Sequence, residues 1–258
     1  MLALTHLTIL TGSSRGMGAA IAEQCLQTDR VLLCIARHTN PTLARKAQAA
    51  GATLEQWTLD LADTQAAAAR LEAWLRAMDG ERFDSATLIN NAAAITQLVP
   101  LEDADAAELA TALRVGLEAP LLLSSAFLRA TAQWRARRLG ACKVLNISSG
   151  LGRNAMASQA SYCAIKAGMD HFSRAVALEE QAAPHGAKIV SLAPGVIDTD
   201  MQVQLRESDA AMFPDRVRFQ KFKSEGMLDA PAVAAAKVLG YLGRADFGSK
   251  PVADVRDA

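Results

Sequence analysis

Two hydrophobic periods alternate along the chain. Short runs dense in β-branched residues and leucine fall at 7–11, 31–36, 53–59, 86–90, 143–148 and 188–193. Between them lie longer alanine-rich stretches whose apolar residues recur at helical spacing, at 16–28, 41–50, 64–78, 104–138 and 158–182. The short runs are nearly continuous in apolar character, which predicts strands covered by helices on both faces, because a half-exposed strand would alternate. Strand then helix, repeated, predicts an α/β chain built as one doubly wound parallel sheet of about seven strands. Pro41 suits a first helical turn, and Gly51 suits a helix stop just ahead of a strand. Gly116 and Pro120 interrupt the fourth helical stretch and predict a bend or break there. After Pro194 the rhythm gives way to a charged segment carrying Phe213, Phe219 and Phe222, then a helix over 229–243 and a short last strand near Val252. Residues 198–228 are expected to form a small helical lid over a substrate site.

Composition narrows the function classes. With 51% hydrophobic residues in 258, the chain can bury one sizeable core, and no Pro/Gly/Ser-rich linker divides it, so a single domain spanning 1–258 is expected. Its 27 basic side chains balance 27 acidic ones, leaving no field to draw in nucleic acid or an anionic membrane. A small-molecule partner is expected. The amino terminus runs directly into a glycine turn and reads as a first strand, without the basic start of a signal peptide. No apolar run reads as long enough to span a bilayer. Four cysteines at no C-x-x-C spacing predict reduced thiols in the cytoplasm, and four scattered histidines predict no metal site.

Candidate chemistry begins with Thr11-Gly12-Ser13-Ser14-Arg15-Gly16-Met17-Gly18, between the first strand and the first helix. Glycines there allow a tight turn and let the backbone approach a pyrophosphate held at the helix amino terminus. A glycine-rich turn also occurs without a ligand, and the flanking strand and helix are the context that favours a dinucleotide. A carboxylate ending the second strand would accept from a free ribose 2′-hydroxyl, but this chain reads Cys34-Ile35-Ala36-Arg37-His38. Arg37 with Arg15 suits a 2′-phosphate, so NADP(H) is the expected cofactor; two exposed loop arginines are the alternative.

A second constellation is Ser149, Tyr162 and Lys166. On a helix Tyr162 and Lys166 are i and i+4, so the ammonium and the phenol share a face. A fixed cation there is expected to pull the phenol pKa down from about 10, by roughly 3 units, toward neutral pH. Ser149, after the fifth strand, would hydrogen-bond a substrate carbonyl held beside Tyr162.

Together, the glycine turn, Asn90-Asn91-Ala92, Ser149, Tyr162-x-x-x-Lys166 and Pro194-Gly195 resemble the short-chain dehydrogenase/reductase family over nearly the whole chain. The resemblance implies a single Rossmann-type domain in which Tyr162 is the acid-base, Lys166 also holds the nicotinamide ribose and Ser149 positions the carbonyl. It implies adenine contacts at Asp60 and Leu61, a steadying role for Asn90, and nicotinamide and phosphate contacts from Pro194, Gly195, Val196, Ile197 and Thr199. The chain departs from the family pattern at Ala93, where glycine is usual, and at Gly116, where an asparagine anchors a proton-relay water.

A narrower resemblance in the carboxyl-terminal half, through Ala193–Gln202 and Asp246–Val255, is to the sepiapterin-reductase branch and its diketone-reducing bacterial relatives. It implies substrate contacts at Met201 and at Asp254, whose carboxylate would accept from a pterin ring. The expected activity is NADPH-dependent reduction of a ketone or vicinal dicarbonyl. An NADPH-binding sensor or scaffold with little turnover, suggested by Gly116, and an alcohol dehydrogenase acting oxidatively are the alternatives. A homodimer or tetramer is expected by analogy, with Leu113, Leu117 and Leu121 as an apolar stripe.

Overall fold

The computed structural model describes residues 5–137 and 142–257. Seven strands form one all-parallel sheet: β1 (Thr5–Thr11), β2 (Arg30–Ala36), β3 (Thr53–Thr58), β4 (Phe83–Asn90), β5 (Cys142–Ile147), β6 (Lys188–Ala193) and β7 (Val252–Asp254). Their order is β3-β2-β1-β4-β5-β6-β7, so the direction of winding reverses between β1 and β4. The doubly wound α/β architecture expected from the apolar rhythm is the one observed.

The near-continuous apolar runs have a direct structural cause. Ile9, Leu33, Leu88, Val144 and Ile189 point into one core, and their chain neighbours Leu10, Leu32, Ile89, Leu145 and Val190 point into another. Helices α3 (Thr64–Arg76) and α5 (Ala119–Ala130) close the first core through Leu71, Leu75, Leu123 and Phe127. Helices α1 (Gly16–Gln24), α2 (Pro41–Ala50) and α10 (Pro231–Leu242) close the second through Ile21, Leu43 and Val238. Each such side chain contributes about 1.5–3 kcal/mol. The run at β3 differs: as an edge strand it alternates exposed and half-buried positions, with Trp57 its buried residue.

The expected interruption in the fourth helical stretch is a π-helical turn, Arg114–Glu118, between α4 (Ala106–Leu113) and α5. Pro120 has no N–H to offer the Gly116 carbonyl four residues back, so the helix widens and Ala119 N–H bonds the Arg114 carbonyl five residues back. A further helix, α6 (Ala132–Arg137), follows, and residue 138, where the sequence reading ended this stretch, lies outside the described residues. The 25 residues Ala106–Ala130 are longer and more apolar than the sequence reading allowed, enough by composition to compare with a membrane span. Ala119, Leu123 and Phe127 are fully buried against the sheet, which makes this a core helix. Leu113 and Leu121 are exposed, whereas Leu117 packs on Gly168.

Beyond α7 (Ala160–Ala182) and β6, the charged segment folds into α8 (Asp200–Glu207) and α9 (Arg216–Ser224). Leu205, Phe213 and Phe219 form a small separate cluster with Leu98, and Met156, Met201 and Phe222 pack against it.

Candidate active site

Ligands of a doubly wound sheet sit at the carboxyl ends of its strands, beside the switch in strand order. The carboxyl edge here carries, in spatial order, Asp60 and Leu61 after β3, Arg37 after β2, and the glycine turn after β1. It continues with Asn90, Asn91 and Ala92 at the end of β4, Ser149 after β5, Pro194–Thr199 after β6 and Asp254 at the end of β7. The sequence-predicted residues thus share one edge.

The glycine turn is held open by contacts that exclude side chains. Gly12 and Gly16 have φ of 70° and 56°, the left-handed region. A Cβ on Gly18 would lie 2.1 Å from the Gly12 carbonyl oxygen. Asn91 straps the turn to β4, its Nδ2 donating to the carbonyls of Thr11 at 3.0 Å and Gly12 at 3.1 Å. Thr11 Oγ1 accepts from the amides of Asn91 and Ala92 at 3.0 Å each. No side chain caps the amino terminus of α1, leaving its first-turn amides directed at the edge where a phosphate would sit. Across the cleft, Thr199 Cγ2 lies 3.5 Å from the Cβ position of Gly16, and Arg15 Nη1 donates to Asp200 Oδ2 at 3.0 Å. Arg37 is exposed just past β2, and Asp60 Oδ1 accepts from the Ala62 amide at 2.9 Å.

Tyr162 and Lys166 lie on α7 with the Lys166 Nζ 5.5 Å from the centre of the Tyr162 ring, so the two share a face as their spacing predicts. Lys166 is 3% exposed and donates to the Ile147 carbonyl at the end of β5, at 2.7 Å. The expected downward shift of the phenol is not what the geometry produces. Burial pushes the Tyr162 pKa up to about 12, and a hydrogen bond with Ser149 offsets this only in part. Burial also brings the Lys166 pKa down to about 8, against an opposing pull from Asp170. The reason is desolvation: Lys166 is removed from water and Tyr162 is half-buried, and the ammonium is aimed at a backbone oxygen. Ser149 Oγ also accepts from the Leu151 amide at 3.2 Å, which fixes the loop that carries it.

Asn90 is buried, its Nδ2 bridging Asn146 Oδ1 at 2.8 Å and Ser124 Oγ at 3.2 Å, so it ties β4 to β5 and α5. Gly195 turns at φ 85°, and the Val196 carbonyl and Asp198 amide bond the backbone of Asp229 at 2.9 Å, fixing the path of the segment above the cleft. Met201 packs into the small aromatic cluster beside Met156. Asp254 is 5% exposed, and Arg256 engages both its oxygens: Nε reaches Oδ1 at 2.7 Å, Nη2 reaches Oδ2 at 2.6 Å, and the backbone N–H reaches Oδ1 at 3.0 Å. Arg153, on the loop that carries Ser149, stands 3.8 Å from Oδ2. Arg153 and Arg256 went unnoticed in the sequence, as did Ser148, Asp170 and Ser191 behind the lysine. The available signal was an aspartate on the same helical face, eight residues past Tyr162. Among the described residues no group of three or more His, Cys, Asp or Glu side chains could hold a metal ion.

The sequence profile of the short chain dehydrogenase family matches residues 6–210. This chain belongs to the short-chain dehydrogenase/reductase family. Among family members, it is 34% identical over 239 residues to a benzil reductase ((S)-benzoin forming) of Bacillus cereus, covering 93% of this chain and 94% of that one. It is 32% identical over 260 residues to sepiapterin reductase of Rattus norvegicus, covering 96% and 95%. A metagenomic short-chain oxidoreductase solved in complex with NADP superposes with a TM-score of 0.71 at 27% identity, covering 98% of this chain and 96% of that one. As a family member the chain is an oxidoreductase, similar to both benzil and sepiapterin reductases.

Proposed function

We propose that this oxidoreductase reduces the carbonyl of a small ketone or vicinal dicarbonyl with NADPH. The observation that carries the reading is the placement of Ser149, Tyr162 and Lys166: a serine beside the phenol and a buried ammonium on the same helix face. The glycine cradle, in which a Cβ on Gly12 would lie 2.8 Å from Ala92 Cα, fits a pyrophosphate against the uncapped α1 terminus. Gly12, Ser14, Arg15, Gly16, Met17 and Gly18 would line it, with Arg37 toward the adenosine ribose and Pro194–Thr199 toward the nicotinamide. When bound, NADPH supplies the hydride.

The chain's own residues supply the proton. Ser149 would hold the carbonyl oxygen, and Tyr162 would donate its O–H to that oxygen as the carbonyl carbon is reduced. A phenol held near pKa 12 stays neutral at pH 7, which is the donor form that reduction requires. Lys166 below about pH 8 carries the positive charge that compensates the tyrosinate left behind. Between the two substrate classes, the three bonds by which Arg256 engages Asp254 favour a dicarbonyl over a pterin, which would compete with Arg256 for that carboxylate. Residues 198–228 would act as the lid, the exposed Leu113 and Leu121 would serve a homodimer face, and the free thiols suit a reducing compartment such as the cytoplasm.

Purified protein with NADPH should consume benzil or diacetyl faster than sepiapterin, and Tyr162→Phe should lower kcat by about a thousandfold or more while NADPH still binds. Retained turnover in that variant overturns the mechanism. Absence of turnover with all three carbonyls in the unmodified protein favours the sensor or scaffold suggested by Gly116.

A further inference from the structure

Behind the catalytic pair, α7 carries a third polar residue on the same face. Tyr162, Lys166 and Asp170 stand at i, i+4 and i+8, so each lies about 6 Å further along the helix axis than the last. Asp170 is 1% exposed. Its Oδ1 accepts from two hydroxyls on neighbouring strands, Ser148 Oγ at 2.6 Å and Ser191 Oγ at 2.7 Å. Its Oδ2 has no partner. That free oxygen lies 2.7 Å from where a Cβ on Gly152 would sit, so the loop carrying Ser149 rests directly on the carboxylate. Leaving one oxygen of a buried carboxylate unbonded is costly unless its charge is used.

We infer that Asp170 is a positioning residue whose buried negative charge keeps Lys166 protonated, and so keeps Tyr162 supplied with a compensating cation during turnover. The inference rests on the proposed role of Tyr162 as proton donor. Lys166 has one fixed protein acceptor, the Ile147 carbonyl, and a dipole alone does not hold an ammonium charged away from water. Asp170 supplies the missing charge one turn away, where low polarisability makes it effective and salt screens it little.

Other charged groups on elements packed against α7 are engaged or distant. Arg114 and Glu118 in the π turn are exposed, with Glu118 Oε1 accepting from Thr64 at 2.8 Å. Glu108 on α4 accepts from the Gln97 amide at 3.1 Å. Arg153 faces Asp254, which Arg256 already neutralises. Lys143 and Lys188 stand at the opposite, amino-terminal ends of β5 and β6. Tyr162 itself stays neutral over the relevant range.

The test is the pH dependence of kcat for diacetyl reduction by NADPH. Asp170→Asn keeps the shape and the Oδ1 acceptor for the two serine hydroxyls and deletes the charge. The alkaline limb should move down by about one pH unit, a tenfold change in the Lys166 proton equilibrium, while kcat near pH 6 changes less than threefold. A Ser148→Ala, Ser191→Ala double variant keeps the charge, and its limb should stay in place even if it melts earlier. An unmoved limb in Asp170→Asn, or an equal displacement in the serine variant, overturns the inference. If Asp170→Asn does not fold, the unmodified enzyme decides. A limb that holds its position from about 0.05 to 0.5 M salt supports a buried counter-charge, and a salt-dependent limb overturns it. The Tyr162→Phe result separates the two readings: with that variant inactive and the Asp170→Asn limb unmoved, only the role of Asp170 falls.

Discussion

Gly116 looks in the sequence like a lost asparagine, and in the fold it is a packing requirement. A Cβ there would lie 2.8 Å from Ile165 Cγ2, so Ile165 occupies the space the asparagine side chain would need. The Gly116 carbonyl has lost its ordinary helical donor, because Pro120 follows it by four residues and carries no N–H. Restoring the family residue by Gly116→Asn should therefore destabilise the protein by about 1–3 kcal/mol through overpacking. Adding Ile165→Ala should recover part of that loss, because it removes the clashing methyl. A denaturant melt of the single and double variants checks this, and a neutral single variant would show that α5 and α7 can separate freely. Asp254 carries a similar lesson: an acid two residues before an arginine is ordinary in sequence, and only the coordinates show a buried carboxylate held at both oxygens by that arginine.

The element on which the proposed NADPH preference depends is the turn between β2 and α2. Asn40 caps α2, its Oδ1 accepting from the amides of Thr42 and Leu43 at 3.1 Å each. The same residue is tied to β3, its N–H donating to Gln56 Oε1 at 2.7 Å while Gln56 Nε2 donates back to the Asn40 carbonyl at 3.2 Å. On the other side, the Gly12 amide bonds the Ile35 carbonyl at 2.8 Å. Arg37 sits on the short span between these two anchors. Asn40→Ala should cost about 1 kcal/mol of stability. It should also raise KM for NADPH several-fold more than KM for NADH, because it loosens the segment carrying the guanidinium while leaving Ser149, Tyr162 and Lys166 untouched. Equal rises for the two cofactors would count against Arg37 as the reader of the 2′-phosphate.

Across the whole molecule, the sheet hides three of four thiols. Burial pushes Cys25 and Cys142 up to about 11 and Cys34 up to about 12, while Cys163, beside Tyr162, is half-exposed. A thiol reagent near pH 8 should titrate one group per native chain and four in denaturant. The three buried thiols ionise near pH 9 in the unfolded chain and only near 11–12 in the native one. The stability they lend is thus complete below about pH 9 and drains away toward 12. Lys166 acts oppositely between about 8 and 10.5, as does Lys143, which burial also lowers, but Tyr162 and Tyr241, both raised by burial, add to the three thiols. The denaturant midpoint should be lower at about pH 10.5 than at about pH 8, and a higher one would refute this account. The parallel sheet, its two-sided cores, the glycine turn and the Tyr162–Lys166 face could all be read along the chain, because each depends on periods of two to four residues that backbone geometry imposes locally. The raised phenol pKa, the Ile165 plug at Gly116, the capture of Asp254 by Arg256 and the meeting of Ser148, Asp170 and Ser191 could not. Each of these depends on which distant residues are brought together and how completely water is expelled around them, and only the packing of strands and helices in three dimensions decides that.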